Sequence, residues 1–282
     1  MKILVTGAAG QLGTTIARDY ADRADIVPAT RASLDIGDAA AVRAFLARER
    51  PDAVINCAAF NDVDGAEDHA ADAIRVNALA VRALARAAAD AGTILVHFST
   101  DFVFDGETTR PYVEEDEPSP QSVYASSKLL GEWFAADAPR HYVLRVESLF
   151  GGTERRSSID RIVDAVKAGV PARVFTDRTV TPSYVADVAE ATWGLLASSA
   201  RGGLYHCVNS GMTTWFALAE EIGRVLGVEP RLVPVRMADV PMKARRPRYP
   251  ALSNEKLARA GIAMPSWQDA LRRYLAVAVR RA

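Results

Sequence analysis

Cysteine is scarce. Cys57 and Cys207 are the only two in 282 residues, each inside an apolar run that reads as a strand. Two such thiols make no disulfide framework and are expected to be buried and reduced, as in a cytosolic protein. Histidine is equally sparse: His69, His97, His141 and His206 stand singly, without ligand spacing, so no metal is expected. No apolar run is long enough to span a bilayer, and no targeting pattern precedes the first strand. A cytoplasmic location without a membrane partner follows as the expectation. An excess of either charge is missing too. With 34 basic and 35 acidic residues the formal net charge is −1, which gives no electrostatic reason to bind nucleic acid. Neither repeats nor low-complexity segments occur. What remains is an ordinary globular composition, 49% hydrophobic and 24% charged. The length suits one α/β domain or a main domain with a smaller attachment.

The chain opens with Lys2 to Thr6, a short run of β-formers that breaks into Gly7, Gly10 and Gly13. This spacing reads as strand, tight turn and helix start. The first glycine serves the backbone reversal, the second lets a pyrophosphate approach the main chain, and the third allows close helix–strand packing. The helix opening near Gln11 and Leu12 turns its N–H groups and positive dipole end toward the phosphates. The expected ligand is a dinucleotide. After a second strand, Asp25 to Ala29, the chain offers Thr30-Arg31 where a ribose-binding carboxylate would favour NAD. A guanidinium attracts the 2′-phosphate of NADPH, so NADPH is favoured and NADH is the alternative, with Arg31 then a solvated loop charge. Asp35 and Ile36 follow in the same neighbourhood.

A third strand ends in Asn56-Cys57-Ala58-Ala59, and the small side chains of Ala58 and Ala59 leave room for a cofactor across the sheet edge. A long helix is expected from about Gly65 to Ala89, interrupted at Asn77, whose poor helix propensity hints that its amide is used. A fourth strand, Thr93 to Phe98, leads into Ser99-Thr100-Asp101. The alternation of strands and helices predicts a doubly wound parallel sheet with ligands at the carboxyl ends of its strands. Beyond an acidic loop, Tyr124 and Lys128 lie four apart on one face of a predicted helix. A fifth strand carries Arg145 and Glu147 at its end.

Separated stretches converge on one family. The chain resembles the extended short-chain dehydrogenase/reductases, and within them the dTDP-4-dehydrorhamnose reductase family. The motifs are Thr6-Gly7-x-x-Gly10-Gln11-Leu12-Gly13, Asn56-Cys57-Ala58-Ala59-Phe60, and Ser99-Thr100-Asp101-Phe102-Val103-Phe104-Asp105-Gly106. Tyr124-x-x-x-Lys128-Leu129-x-Gly131-Glu132, Gly203-Leu204-Tyr205-His206 and Arg246-Pro247 with Leu252-Ser253-Asn254 complete the set. The resemblance implies a Rossmann-type sheet over residues 1–150 plus about 184–208. A smaller, mostly C-terminal substrate domain is expected over about 151–183 and 209–282.

It also implies hydride transfer from NADPH to the C4 keto carbon of a nucleotide-linked 6-deoxy sugar. Tyr124 is the proton donor, Lys128 lowers its pKa and holds the nicotinamide ribose, and Thr100 donates to the same oxygen. Asn77 is placed near Lys128 on the cofactor side, holding water or backbone. Asp101 and Arg246 are placed toward the sugar and the diphosphate. A homodimer is compatible with the family. Where these reductases commonly carry a tryptophan shortly after the Leu-Arg of strand five, this chain reads Val146-Glu147-Ser148. The carboxylates by which some relatives hold a metal at a dimer interface are replaced by Thr14-Thr15. Two alternatives stay open: a reductase or epimerase of another nucleoside-diphosphate 4-keto sugar, and a non-catalytic dinucleotide-binding regulatory subunit.

Overall fold

A computed structural model of the protein describes residues 1–154 and 157–280. Arg155, Arg156, Arg281 and Ala282, within the expected smaller unit, lie outside the described residues.

Five strands, β1 (Lys2–Thr6), β2 (Asp25–Ala29), β3 (Ala53–Asn56), β4 (Ile94–Thr100) and β5 (His141–Val146), join Gly203–His206 in one sheet. Every pairing in this sheet is parallel, and the order is Gly203–His206, β5, β4, β3, β1, β2. From β1 the chain goes to β2 on one side, then crosses back to β3 on the other. That reversal opens a crevice at the carboxyl ends of the strands. Pro28 is accommodated because β2 is an edge strand.

Side-chain alternation along the strands builds two cores. Ile3, Val5, Ile55 and Val96 pack on one face with Leu12 and Ile16 of α1 (Gln11–Asp19) and with Val188 and Leu195 of the helix Val185–Ala197. Leu4, Val54 and Leu95 face the other way, onto Val42 and Leu46 of α2 (Ala39–Glu49) and onto Val81 and Leu84. Each such buried aliphatic side chain contributes about 1.5–3 kcal/mol. Helices on both faces make the sheet doubly wound.

The single long helix expected after β3 is four pieces: α3 (Gly65–Asp68), α4 (Ala70–Ile74), a π-helical turn Arg75–Leu79, and α5 (Ala80–Ala91). The first break falls at His69, whose backbone leaves the helical region. At the second, Asn77 clamps the Phe60 backbone, accepting from its N–H at 2.8 Å and donating to its carbonyl at 3.0 Å.

A third core gathers Phe150 of the short strand Leu149–Phe150 with Ile159, Val163, Val174, Trp215, Leu218, Trp267 and Leu271 from the helices Ser158–Lys167, Trp215–Leu226 and Trp267–Arg280 and the strand pair Ala172–Phe175/Leu232–Val235. Leu257 and Met264 pack instead with the core of α1. Among the described residues no helix is long and apolar enough to cross a membrane, and no group of three or more His, Cys, Asp or Glu could hold a metal ion.

Candidate active site

A cleft of about 550 Å³ runs along the carboxyl ends of β1, β3, β4 and β5, with residues of the third core on its far wall. At one end stands the glycine turn. Gly7 adopts φ +65°, and a Cβ there would lie 2.6 Å from the Ala58 nitrogen; a Cβ on Gly13 would lie 2.4 Å from the Gly7 carbonyl oxygen. Both positions therefore need glycine, for the reversal and for helix packing as expected. The first turn of α1 carries no acidic residue, and its cap, Gly10, supplies no side-chain acceptor. Backbone N–H groups at a helix start without a competing carboxylate suit a pyrophosphate, so the residues fit a dinucleotide.

Beneath the middle of the cleft, Asn56 Oδ1 accepts from Thr6 Oγ1 at 2.6 Å and from the Ala58 N–H at 3.2 Å, while its amide nitrogen lies 3.1 Å from His97 Nδ1. Burial drives the His97 pKa well down, so the ring is neutral. This network fixes the turn that carries Ala58 and Ala59 into the cleft wall.

The next wall is α6 (Val123–Ala135), capped by Ser122, which accepts from the Ala125 N–H at 3.2 Å, while Glu67 accepts from the Val123 N–H at 2.9 Å. Tyr124, Lys128 and Glu132 repeat at four-residue intervals, and all three are buried against the sheet side. Glu132 anchors the helix, taking a two-point salt bridge from Arg145 of β5 at 2.8 and 2.7 Å and a 2.5 Å hydrogen bond from Ser99 of β4. Lys128 Nζ donates to the Phe98 carbonyl at 2.6 Å, and burial lowers its pKa to about 8 against the opposing charge of Glu132.

Tyr124 departs from expectation. Burial raises its pKa well above the ordinary value, and the charge of Asp101 raises it further, opposed by a hydrogen bond with Thr100. Lys128 is not among the groups acting on it; its ammonium sits on the Phe98 carbonyl. The tyrosine is therefore kept firmly protonated, the form a proton donor needs. Thr100 donates to Asp101 Oδ1 at 2.9 Å and accepts from the Phe102 N–H at 3.2 Å. The Phe102 ring meets Tyr124 edge-on at 5.9 Å.

Gly10, Gln11, Leu12, Gly13, Ala58, Ala59, Thr100, Asp101, Tyr124, Lys128 and Arg246 all line the cleft. Gly7 stands beneath the turn. Gln11 also ties the turn to the far wall, donating to the Gly151 carbonyl at 2.8 Å. Arg31 is exposed on the turn after β2, and Asp35 accepts from the Gly37 N–H at 2.9 Å. Neither Ile36 nor Asn77 lines the cleft. The Ile36 side chain is buried in the core with Leu4 and Val54, so it offers a cofactor no side-chain contact. The Asn77 amide holds backbone, that of Phe60, and donates to Ser127 Oγ at 3.0 Å, so it positions the loop after β3 and α6 from behind the cleft wall. Arg246 faces the cleft in a two-point pair with Asp64 at 2.9 and 2.7 Å, which holds the Asp64 pKa down to about 2.

Sequence reasoning missed Arg178 and Trp215, buried on the cleft wall. A lone arginine between short strands looks solvated in sequence. Only its burial, with its guanidinium 5.5 Å over the Phe102 ring, sets it apart.

Fold and site together define an extended short-chain dehydrogenase/reductase. Within that class, the chain belongs to the family described as RmlD substrate binding domain, which matches residues 1–280. The dTDP-4-dehydrorhamnose reductase of Mycobacterium tuberculosis is 38% identical over 98% of this chain and 92% of its own length. That of Burkholderia thailandensis is 34% identical over 96% of this chain and 97% of its own. Among solved structures, the dTDP-4-dehydrorhamnose reductase of Clostridium acetobutylicum superposes with a TM-score of 0.94 at 33% identity, covering 99% of this chain and all of the other. The Bacillus anthracis enzyme in complex with NADP gives 0.93 at 30% identity, covering 98% and 99%.

Proposed function

We propose that the protein reduces the C4 keto group of dTDP-4-dehydro-L-rhamnose to dTDP-L-rhamnose, with NADPH as the preferred reductant, in the cytoplasm. The observation that carries this reading is the convergence of Thr100, Tyr124 and Lys128 on one cleft wall, beside a glycine turn shaped for a dinucleotide. When bound, NADPH supplies the hydride that the sugar C4 accepts. Tyr124 gives its phenolic proton to the C4 oxygen as negative charge develops there. Its raised pKa keeps that proton in place until the oxygen becomes basic enough to take it. Thr100 donates a hydrogen bond to the same oxygen, exchanging its ground-state bond to Asp101 for one that strengthens with the developing charge. Lys128 holds a positive charge beneath the ribose and the tyrosine. Gly10, Gly13 and the start of α1 hold the pyrophosphate, and Arg31 meets the 2′-phosphate. Arg246 meets the diphosphate of the sugar nucleotide, with Asp64 presetting its side chain. Residues 1–150 and about 184–208 form the cofactor domain; the remainder forms the sugar domain and leaves a surface for a homodimer.

The test is Tyr124→Phe. Turnover of the 4-keto sugar falls by about 10²–10⁴-fold, the usual contribution of general acid catalysis, while NADPH binding by fluorescence titration persists. A wild-type protein that binds NADPH but turns over no nucleoside-diphosphate 4-keto sugar would be a regulatory subunit instead.

A further inference from the structure

The end of the cleft away from the glycine turn holds polar atoms that the protein itself leaves unpaired. Asp101 Oδ2, Arg178 Nε and Trp215 Nε1 are buried without a hydrogen-bond partner, and the equally buried Glu147 carboxylate meets no hydrogen-bonding group but Thr181. Asp101, Arg178, Trp215 and Glu147 are 3%, 9%, 7% and 2% exposed. Asp101, Arg178 and Trp215 line the cleft, as do Val146 and Ser148 on either side of Glu147. Asp101, Glu147 and Arg178 act on one another electrostatically, so they form one cluster. Buried polar groups of this kind are rare, because each carries the full desolvation penalty until something pairs with it. A second observation points the same way. Ser148, directly after Glu147, holds φ +44°, a left-handed conformation unusual for a non-glycine residue. The backbone is bent there at the mouth of the cluster.

We propose that Glu147, with Asp101, Arg178 and Trp215, reads the ring hydroxyls of the sugar, and that Glu147 sets the preference for a fully hydroxylated ring. The cluster offers three acceptor atoms and two donors. A phosphate brings only acceptors and would face the two carboxyl groups. An apolar group would leave Asp101 Oδ2, Arg178 Nε and Trp215 Nε1 unpaired. A sugar hydroxyl both donates and accepts, and two of them satisfy such a set. Burial and the neighbouring Asp101 push the Glu147 pKa up to about 8, against the pull of Thr181 and Arg178. This direction favours the protonated carboxyl, which can itself donate. A site built to hydrogen-bond a substrate hydroxyl strongly rejects an analogue that lacks it.

The inference rests on the sugar-nucleotide reading, so its test uses binding as well as turnover. Calorimetry on the NADP⁺-loaded protein compares dTDP-L-rhamnose with its 2-deoxy and 2,3-dideoxy counterparts. The wild type should prefer the fully hydroxylated ligand by about 10²-fold or more. Glu147→Leu should reduce the preference to under about 10-fold, chiefly by weakening dTDP-L-rhamnose, with NADP⁺ affinity unchanged. Glu147→Gln, which keeps a donor and an acceptor, should retain most of it. Equal binding of the three ligands by the wild type, or an undiminished preference in Glu147→Leu, overturns the proposal. Should Glu147→Leu not fold, Arg178→Gln is compared on the same ligands, and an unchanged preference there has the same force. Turnover separates the two readings: binding preference without reduction of the 4-keto sugar defeats the reductase assignment alone, and reduction without preference defeats this one alone.

Discussion

The two ends of the cleft are made of different materials. At the cofactor end the structure is backbone: a left-handed Gly7, a Gly13 without room for a side chain, and a helix start with open N–H groups. At the sugar end it is side chains, buried and charged, drawn from β4, β5 and segments near residues 178, 215 and 246. A backbone site has its geometry fixed by local sequence and tolerates many neighbours. A side-chain site depends on several distant segments arriving together, and each residue in it can change independently. Under the proposed function, cofactor binding at one end is conservative by construction, while substrate choice at the other is open to single substitutions.

The largest effect is expected where both ends share a support. Glu132→Ala leaves the Arg145 guanidinium buried without its carboxylate and removes the ties of α6 to Arg145 of β5 and Ser99 of β4. Stability should fall by about 3–5 kcal/mol, read from the denaturant midpoint, and both ligands should weaken together. A loss confined to one ligand would show that α6 is not the common support.

Gly7→Ala sharpens the contrast. Strain at φ +65° and the clash with Ala58 should weaken NADPH roughly 10-fold or more, the equivalent of about 1–3 kcal/mol, and leave binding of dTDP-L-rhamnose to the free protein nearly intact. Parallel losses would break the division. Two charge removals probe the ends separately. Arg31→Ala should weaken NADPH by about 10–100-fold with little change for NADH, whereas Arg246→Ala should raise KM for the sugar nucleotide by about 10-fold and spare NADPH. Steady-state kinetics with both cofactors distinguishes them.

The smallest effect is a pH limb. Lys128 has its pKa lowered to about 8, so its charge is present below that pH and lost above it, while Tyr124 remains protonated across the same range. The value of kcat/KM should therefore decline above about pH 8, and the residual activity of Lys128→Arg, measured in the Glu147→Gln background so that the Glu147 carboxyl does not titrate in the same range, should lack that limb because guanidinium stays charged. An identical limb in the variant would assign the titration elsewhere.

Sequence reading followed the same division. The parallel sheet, the glycine turn and the Tyr124/Lys128 face were legible because each is a local pattern: strand alternation, a three-residue glycine spacing, a four-residue helical repeat. Ile36 stands in the turn between β2 and α2, and nothing in its local sequence tells that its side chain packs into the core. Asn77 was flagged by its poor helix propensity, but its partner Phe60 lies 17 residues away and only folding identifies it. Lys128 was expected to acidify Tyr124, and the Phe98 carbonyl that holds its ammonium is invisible in the sequence. Arg178 and Trp215 carry no local mark at all.

The π-helical turn at Arg75–Leu79 makes the chain unusually intolerant of one kind of change. A π turn closes its hydrogen bond one residue further along than an α turn, so it acts as a single added tooth between two gears. Deleting any one of its five residues would let α4 and α5 merge into a regular helix of better intrinsic quality. Each residue of an α-helix also advances the rotation by about 100°. The merged helix would carry α3 and α4 round by that angle relative to the face of α5 seated on the sheet, and Asn77 would swing off the Phe60 backbone. The segment should therefore accept replacement of the exposed Leu79 while rejecting a change in length.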